Sequence, residues 1–149
     1  MAKFTQGVYR LINRSKYKGD PNNVIYRSSW ELSYLFRLDT DPNVIEFSSE
    51  EIIIPYRDIN NKIRRYFVDF YVKRKVGDNV IEELIEIKPY KETIPPVLSE
   101  GKKTKTKVRE VLTWDMNQRK WAQAKKYCEM KGWNFRIITE RDLPGMKKY

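Results

Sequence analysis

The order of predicted elements indicates an α/β fold in which a mixed β-sheet is flanked by helices. A helix comes first, strands that include a β-hairpin follow, and a second helix and a final strand end the pattern. Helical spacing of large apolar residues marks the helices, and runs of β-branched and aromatic residues mark the strands. Such elements bury their apolar faces by packing the helices on a sheet.

Length and local composition predict one domain that begins with an irregular arm. A chain of 149 residues falls within the usual size of a single domain, about 100–200 residues. Residues 1–25 are rich in Asn, Lys, Gly and Tyr without a clear period, and 19–22 has the composition of a turn. We expect one domain over residues 1–149, whose arm over residues 1–25 wraps the domain or its partner.

The first helix begins after Ser28, which is placed as an N-cap. Its large apolar side chains recur at helical spacings: Trp30, Tyr34, Leu35 and Leu38. Asp41 and Pro42 follow, and the helix should end before them because the residue preceding a proline disfavours the helical conformation.

Three stretches after this helix predict strands. Residues 44–56 contain three consecutive isoleucines, and Pro55 directly after them marks the end of the strand or an edge position. Residues 64–73 and 80–88 form two longer strands. The connection 75–79 contains a glycine and an Asp-Asn pair, which suit a hairpin loop.

The last third of the chain predicts a loop, a helix and a strand. Residues 91–107 are rich in Pro, Lys and Thr, which is typical of a mobile loop. The second helix spans 115–131 and ends at Gly132, a residue favoured just after a helix C-terminus. Residues 135–139 form the final strand.

Composition excludes several kinds of chemistry. The chain has no histidine and one cysteine, so it lacks His-based nucleophile systems, His-ligated zinc or haem, zinc ribbons and internal disulfides. The remaining groups are carboxylates, lysines, hydroxyls, backbone groups and a hard metal ion held by oxygen. Cys128 is expected to be a small buried apolar group. The sequence has neither a signal-type apolar stretch nor an apolar run near the roughly 18 residues of a membrane span, so we expect no membrane partner and a cytosolic compartment.

Positive charge is concentrated in the stretch 101–126. It carries +7 of the formal net charge of +10, from nine basic and two acidic side chains. With Tyr and Trp among them, these charges predict a surface that binds DNA phosphates with salt-dependent affinity. The alternative is a lysine-rich surface that is merely solvated. The candidates for DNA contact are Lys102, Lys103, Lys105, Lys107, Arg109, Arg119 and Lys120.

Strand periodicity brings two carboxylates and a lysine together. Glu86 and Lys88 lie two residues apart, so their side chains leave the same face of a strand. A turn near Gly77 places Asp69 of the partner strand opposite or diagonal to Glu86. Carboxylates that close repel each other unless a cation lies between them, and Mg²⁺ prefers oxygen ligands. Ile87 can add its backbone carbonyl as a ligand, and Lys88 can orient or deprotonate the attacking water.

A simpler interpretation is a surface hairpin on which Lys88 forms an ion pair with Glu86 and Asp69 is exposed. The E-x-K spacing alone does not decide between a metal site and a surface ion pair, because such tripeptides are common in charged sequences. Glu31 also has two interpretations, since residues 28–31 match the S-x-x-E capping box of a helix start.

The combination of Asp69 in an apolar strand, a hairpin, and E-x-K at the end of the next strand resembles the PD-(D/E)xK nuclease superfamily. The resemblance implies a restriction-endonuclease-like αβββαβ core and metal-dependent cleavage of DNA. It implies that Asp69 and Glu86 hold Mg²⁺, for which Mn²⁺ can substitute, and that Lys88 assists the water. Glu31, in the first helix, would complete the catalytic and metal site. Val68 stands where the family usually has a proline.

A second resemblance covers nearly the whole chain, to the head completion nucleases of large contractile-tailed phages. The segments that carry it are 6–9, 13, 16–20, 26–31, 65–69 and 132–140. It implies that packaged DNA is cleaved or trimmed so that tails can join, with phage head, portal or neck proteins as partners. The expected location is the bacterial host cytoplasm during assembly, or the virion.

The segment 26–31 also resembles the N-terminal nuclease domain of the transposase endonuclease subunit TnsA. Two alternative functions therefore stand beside the first. One is a DNA-binding head–tail joining protein without enzymatic activity. The other is a TnsA-like or resolvase-like endonuclease subunit.

Overall fold

The computed structural model describes residues 6–143 and contains, in that range, two α-helices and eight β-strands. In chain order they are β1 (Gly7–Val8), β2 (Ile25–Tyr26), α1 (Ser29–Thr40), β3 (Val44–Ser49), β4 (Ile53–Arg57), β5 (Ile63–Phe67), β6 (Phe70–Val76), β7 (Asn79–Ile87), α2 (Thr104–Lys131) and β8 (Asn134–Ile138). No helix in this range is long and apolar enough to cross a bilayer.

The central sheet has the strand order β3-β6-β7-β8. The pairs β3–β6 and β6–β7 are antiparallel, whereas β8 runs parallel to β7. The strands β4 and β5 form a separate hairpin inserted between β3 and β6. Apart from this insertion and the β1–β2 pair that precedes α1, the order is αβββαβ, so the predicted fold class, a mixed sheet flanked by helices, is confirmed.

Each face of the sheet packs against one helix. On one face, Phe70 and Ile85 of the sheet lie in a buried cluster with Trp30 and Leu35 of α1. On the other face, the buried cluster joins sheet residues to apolar residues of α2: Tyr71, Leu84, Trp121, Ala124 and Cys128. Alternate residues of a strand point to opposite faces, which explains why Leu84 and Ile85 belong to different clusters. The expected burial of Cys128 is confirmed.

Helix α1 begins and ends where the sequence predicts. Ser28 accepts a hydrogen bond from the Glu31 N–H, and the helix stops at Thr40, before Asp41 and Pro42. The N-terminal segment is anchored to this helix through Asp39, which accepts hydrogen bonds from the Tyr9 hydroxyl and two backbone N–H groups. The predicted arm is therefore fixed to the core, and its residues 1–5 lie outside the described range.

Two predicted strands are each divided in the structure. Residues 44–56 form β3 and β4, because Glu50 adopts a positive φ of 55° that interrupts the extended backbone. Pro55 does not end β4 but lies inside it, and because β4 pairs only with β5 the missing N–H faces an open edge. The predicted strand 64–73 is divided at Val68 and Asp69, where the chain passes from the β4–β5 hairpin to the central sheet.

The connection before α2 is shorter than predicted, because α2 begins at Thr104 rather than near residue 115. Lys105 and Lys107 therefore lie on a helix instead of in a loop, and Arg109 lies on the same helix. The predicted end at Gly132 is confirmed, and this glycine has the positive φ of 73° that glycine adopts readily. The hairpin turn at Gly77 and the final strand are also found, the strand at Asn134–Ile138.

Candidate active site

Asp69 and Glu86 lie at neighbouring positions of the β6–β7 pair. Phe70 is paired with Ile85, so the preceding and following residues, Asp69 and Glu86, come next in the antiparallel register. The backbone N–H of Ile87 donates a hydrogen bond of 2.8 Å to Asp69 Oδ2. The division between β5 and β6 leaves Asp69 outside the strand ladder, and this hydrogen bond holds its side chain against β7.

Glu86 is buried, with 4% of its surface exposed. Its Oε2 atom accepts a hydrogen bond of 3.4 Å from the Trp121 indole on α2 and lies 3.9 Å from Lys88 Nζ. The predicted common face of Glu86 and Lys88 is therefore present. The alternative of an ordinary exposed ion pair does not describe a carboxylate this deeply buried beneath a helix.

The carboxylates of Asp69 and Glu86 repel each other, and a third carboxylate, that of Glu31, lies near them. Burial raises the pKa of Asp69 well above its usual range, and the charges of Glu86 and Glu31 raise it further. The Ile87 N–H and the charge of Lys88 act in the opposite direction but are outweighed. Ionising all three acids at these positions therefore costs free energy, and a cation among them would lower that cost.

Glu31 both caps helix α1 and lies near the acidic pair. Its backbone N–H donates to Ser28 Oγ at 3.2 Å, while its own Oε2 accepts from the Arg27 N–H at 2.7 Å. This differs from the expected capping box, in which the glutamate would accept from Ser28. Burial raises the pKa of Glu31, and the charges of Glu50 and Glu86 act in the same direction.

Lys120 is separated from the other basic candidates and lies at the acidic site. Burial lowers the pKa of its amine, while the charges of Glu86 and Asp69 raise it. Its Nζ lies 5.5 Å from the centre of the Tyr66 ring. Sequence spacing did not show this placement, because it depends on how α2 crosses the sheet.

Tyr66 and Trp121 also lie at the site, although no sequence pattern marks them as functional residues. The Tyr66 hydroxyl is buried beside Glu86 and Asp69. Burial raises the pKa of this phenol, and the nearby charges of Glu86 and Asp69 raise it further. Trp121 shares the buried stripe of α2 with Asn117, Ala124 and Cys128, a spacing that marks the face but is equally typical of core residues.

The other candidates for DNA contact lie along α2 and just before it. Lys103, Lys105 and Arg109 are exposed. Lys102 forms an ion pair of 2.9 Å with Glu110, and Arg119 forms one of 2.8 Å with Asp115. The remaining member of the set, Lys107, is partly buried.

In the described residues, Glu31, Asp69 and Glu86 do not come close enough together to form a three-ligand metal centre. Between residues 6 and 143, no group of three or more His, Cys, Asp or Glu side chains converges closely enough to hold a metal ion. The pair Asp69 and Glu86, with oxygen donors that repel each other in a partly buried place, nevertheless has the chemistry of a site for a hard divalent cation.

This arrangement agrees with a comparison of the chain with known families. Residues 41–140 match the model of the TnsA-like endonuclease N-terminal domain. The chain belongs to this family. As a TnsA-like endonuclease it is a nuclease, an enzyme that hydrolyses DNA, and nucleases of this kind generally use divalent metals.

The matched range of the TnsA-like family covers Asp69, Glu86, Lys88 and Lys120 but begins after Glu31. A wider similarity includes that helix as well. The chain is 44% identical over 138 residues to the head completion nuclease of Enterobacteria phage T4, covering 90% of each protein. The resemblances to the head completion nucleases and to the TnsA N-terminal nuclease domain are therefore confirmed.

Proposed function

We propose that this nuclease is Mg²⁺-dependent and acts in phage head completion, cleaving or trimming packaged DNA so that tails can join. The observation that supports the chemistry is the pairing of Asp69 with buried Glu86, 3.9 Å from Lys88. The support for the biological role is the similarity to a protein named head completion nuclease, which extends over 90% of both chains. The proposed partners are therefore DNA and phage head, portal or neck proteins in the host cytoplasm or the virion.

Asp69 and Glu86 would hold the cation, with Glu31 completing the acidic site and Ile87 offering its backbone carbonyl. When bound, the cation supplies Lewis-acid polarisation of the scissile phosphate. Mg²⁺ fits a site with two carboxylates because it retains waters and binds substrate phosphate at its remaining positions, and Mn²⁺ would substitute. The mutual repulsion of Asp69 and Glu86 is the observation that fits a cation here.

Lys88 would position the attacking water and stabilise negative charge as it develops on the phosphate. Its ammonium carries three donors, so it can keep its contact with Glu86 and still donate to water or phosphate. Partial burial strengthens such a contact in the transition state, because less solvent competes for it.

The proposed DNA path runs along the length of α2. Lys103, Lys105, Lys107 and Arg109 precede the acidic site along the helix, and Lys120 reaches the site itself. Phosphates bound by these side chains would lead the DNA to the site where Asp69 and Glu86 would hold the cation. Lys102 and Arg119 contribute less charge to DNA because each is already paired with an acid on α2.

A cleavage assay tests the proposed chemistry. Wild-type protein should degrade plasmid DNA in Mg²⁺ and stop when the metal is chelated. Lys88→Ala should lower the rate by about 100-fold, the usual size for removal of one transition-state donor. Lys73→Ala removes a lysine from β6 outside the site and should leave the rate unchanged. Degradation by folded Lys88→Ala protein at the wild-type rate would refute this assignment.

An assembly assay tests the biological role. DNA-filled heads from a phage that lacks its own head completion nuclease are mixed with tails, and joined particles are counted by electron microscopy. Wild-type protein should increase joining, and Lys88→Ala should not. Equal joining by both proteins would instead favour a non-enzymatic joining role.

A further inference from the structure

A cleft of about 680 Å³ lies between the segment 91–102 and the first half of α2. Its size is within the range of sites that bind small molecules, about 300–1,000 Å³. Ile94, Pro95 and Pro96 form part of an apolar wall, and Trp114 and Asn117 of α2 also line the cleft. The cleft is not part of the acidic site described above.

Asn117 is a buried polar residue of the cleft whose side-chain amide the fold leaves unpaired. Its side chain is 1% exposed, and within residues 6–143 neither Oδ1 nor Nδ2 has a hydrogen-bond partner. An unpaired buried amide costs about 1–3 kcal/mol, and asparagine is also a weaker helix former than leucine or alanine. An amide kept in such a place can offer one donor and one acceptor, side by side, to a molecule that enters the cleft.

The other side chains of the cleft favour a nucleotide. Trp114 precedes Asn117 by three residues, so both lie on the same side of α2. Arg109 is exposed at the cleft, and the acid beside it, Glu110, is paired with Lys102 at 2.9 Å. An aromatic ring for stacking, an amide for the base edge and a guanidinium for phosphate are the groups with which proteins bind unpaired bases.

The cleft adjoins the acidic site along α2. Lys120 and Trp121 follow Asn117 by three and four residues, a rise of about 4.5–6 Å along the helix. Trp121 donates to Glu86, and Lys120 lies close enough to Glu86 for their charges to interact. A nucleotide in the cleft would therefore lie next to one whose phosphate is at the acidic site.

We propose that the cleft binds an unpaired nucleotide of the DNA strand, next to the phosphate that is cleaved. Its base lies against Trp114 and the proline wall, and the Asn117 amide hydrogen-bonds the base edge. Every base presents a donor beside an acceptor on its pairing edge, so an amide that can rotate serves all four bases. The inference rests on the proposed nuclease function and adds a preference for DNA with single-stranded tails or gaps.

Binding measurements without metal test the cleft separately from cleavage. The probes are a blunt duplex and the same duplex with a short single-stranded tail that contains 2-aminopurine, both in the presence of a chelator. The tailed duplex should bind wild-type protein about 5- to 150-fold more tightly, the equivalent of about 1–3 kcal/mol for stacking of one base on an aromatic ring. Stacking on Trp114 should also quench the 2-aminopurine fluorescence.

Substitutions at Trp114 decide whether this ring is responsible. Trp114→Ala should lose both the preference for the tail and the quenching, while Trp114→Phe should retain most of the preference. Leu112→Ala, which removes an apolar side chain of α2 that is 48% exposed and outside the cleft, should behave as wild type. An unchanged ratio of tailed to blunt affinity in Trp114→Ala would overturn the proposal.

Asn117→Leu separates a ligand-binding amide from a structural one. It should melt at the wild-type temperature or above, because a buried unpaired amide is replaced by an apolar side chain, and it should lose the preference for the tail. A clear loss of stability would assign Asn117 to the fold and overturn the proposal. Failure of wild-type protein to cleave DNA in Mg²⁺ would contradict the proposed function without affecting these binding results.

Discussion

Asp69 shows how a break in regular structure produces a reactive position. The predicted strand 64–73 contains apolar residues at both alternations, so periodicity alone gives no reason to end it at Val68. In the structure the chain changes sheets there, and Asp69 is held by the Ile87 N–H. The proximity of Asp69 to Glu86 could be predicted from the hairpin and the two-residue period, because both are local properties.

The position of Lys120 at the acidic site could not be predicted from local sequence patterns. Its charge placed it in the predicted DNA surface, but only the packing of α2 across the sheet brings it to Glu86 and Asp69. The same packing buries the Tyr66 hydroxyl beside these acids. Contacts between elements distant in the sequence depend on the angle and register of packing, which no single-sequence period specifies.

A first prediction concerns Lys120. Lys120→Ala should lower the rate of DNA cleavage in Mg²⁺ by about 100-fold, because it removes a partly buried cation facing the two carboxylates. Lys120→Arg should retain part of the rate. Lys125→Ala, at an exposed position of the same helix, is the matched control. Cleavage by Lys120→Ala within twofold of wild type would show that the amine takes no part in the reaction.

At the scale of elements, the helix α2 was predicted only in its second half. Its buried residues are Asn117, Trp121, Ala124 and Cys128, and all of them lie after residue 115. The first half carries Val108, Val111 and Leu112 at helical spacings, but these side chains are 41–52% exposed and lie among Lys, Thr and Arg, and that half was not predicted as helix. The cleft beside Asn117 depends on this first half and on the segment 91–102, and it could not be foreseen from the sequence.

The N-terminal segment was predicted as irregular, but its attachment was not. Burial alone would raise the pKa of Asp39, yet the hydrogen bonds from the Ile12 N–H, the Tyr9 hydroxyl and the Asn13 N–H outweigh it and hold that pKa below its usual value. These bonds join the arm to α1. They involve residues 26 to 30 positions apart, a distance over which sequence patterns give no pairing information.

A second prediction follows for Asp39. Asp39→Asn should lower the free energy of unfolding by about 2–3 kcal/mol at pH 7, because an amide cannot accept all three donors. Since the folded pKa lies below the unfolded value, the stabilisation by Asp39 is present above an unfolded pKa of about 3.9 and is lost as the pH falls through the folded pKa. Urea unfolding measured across this range should show the two proteins converging in acid. A constant difference down to the lowest pH would contradict the charged-acceptor explanation.

At the scale of the whole molecule, positive charge lies along α2 while the acids lie at the end of the β6–β7 pair. The sequence predicted both features and the αβββαβ order, since charge, hairpin and strand periods can be read from neighbouring residues. The angle at which α2 presents its charges to the acids comes from the packed core. We propose that the chain acts as one domain in which the helix guides DNA to the acidic site.

A third prediction concerns this charge. Replacing Lys103, Lys105 and Lys107 by glutamine should weaken DNA binding and reduce the slope of log affinity against log salt by about 3, or about 0.9 for each lost phosphate contact on a duplex. Arg10, Arg14 and Lys18 of the arm, replaced in the same way, serve as the control. An unchanged slope in the α2 variant would place the DNA path elsewhere.

The most direct test of the acidic site is a calorimetric titration with Mg²⁺ of wild-type protein and of an Asp69→Asn, Glu86→Gln variant. The asparagine retains an oxygen acceptor for the Ile87 N–H, and both changes remove the charge that a divalent cation requires. The metal site predicts saturable binding to the wild type and none to the variant, with both proteins folded. Equal binding to both proteins would contradict the assignment of Asp69 and Glu86 as the metal site.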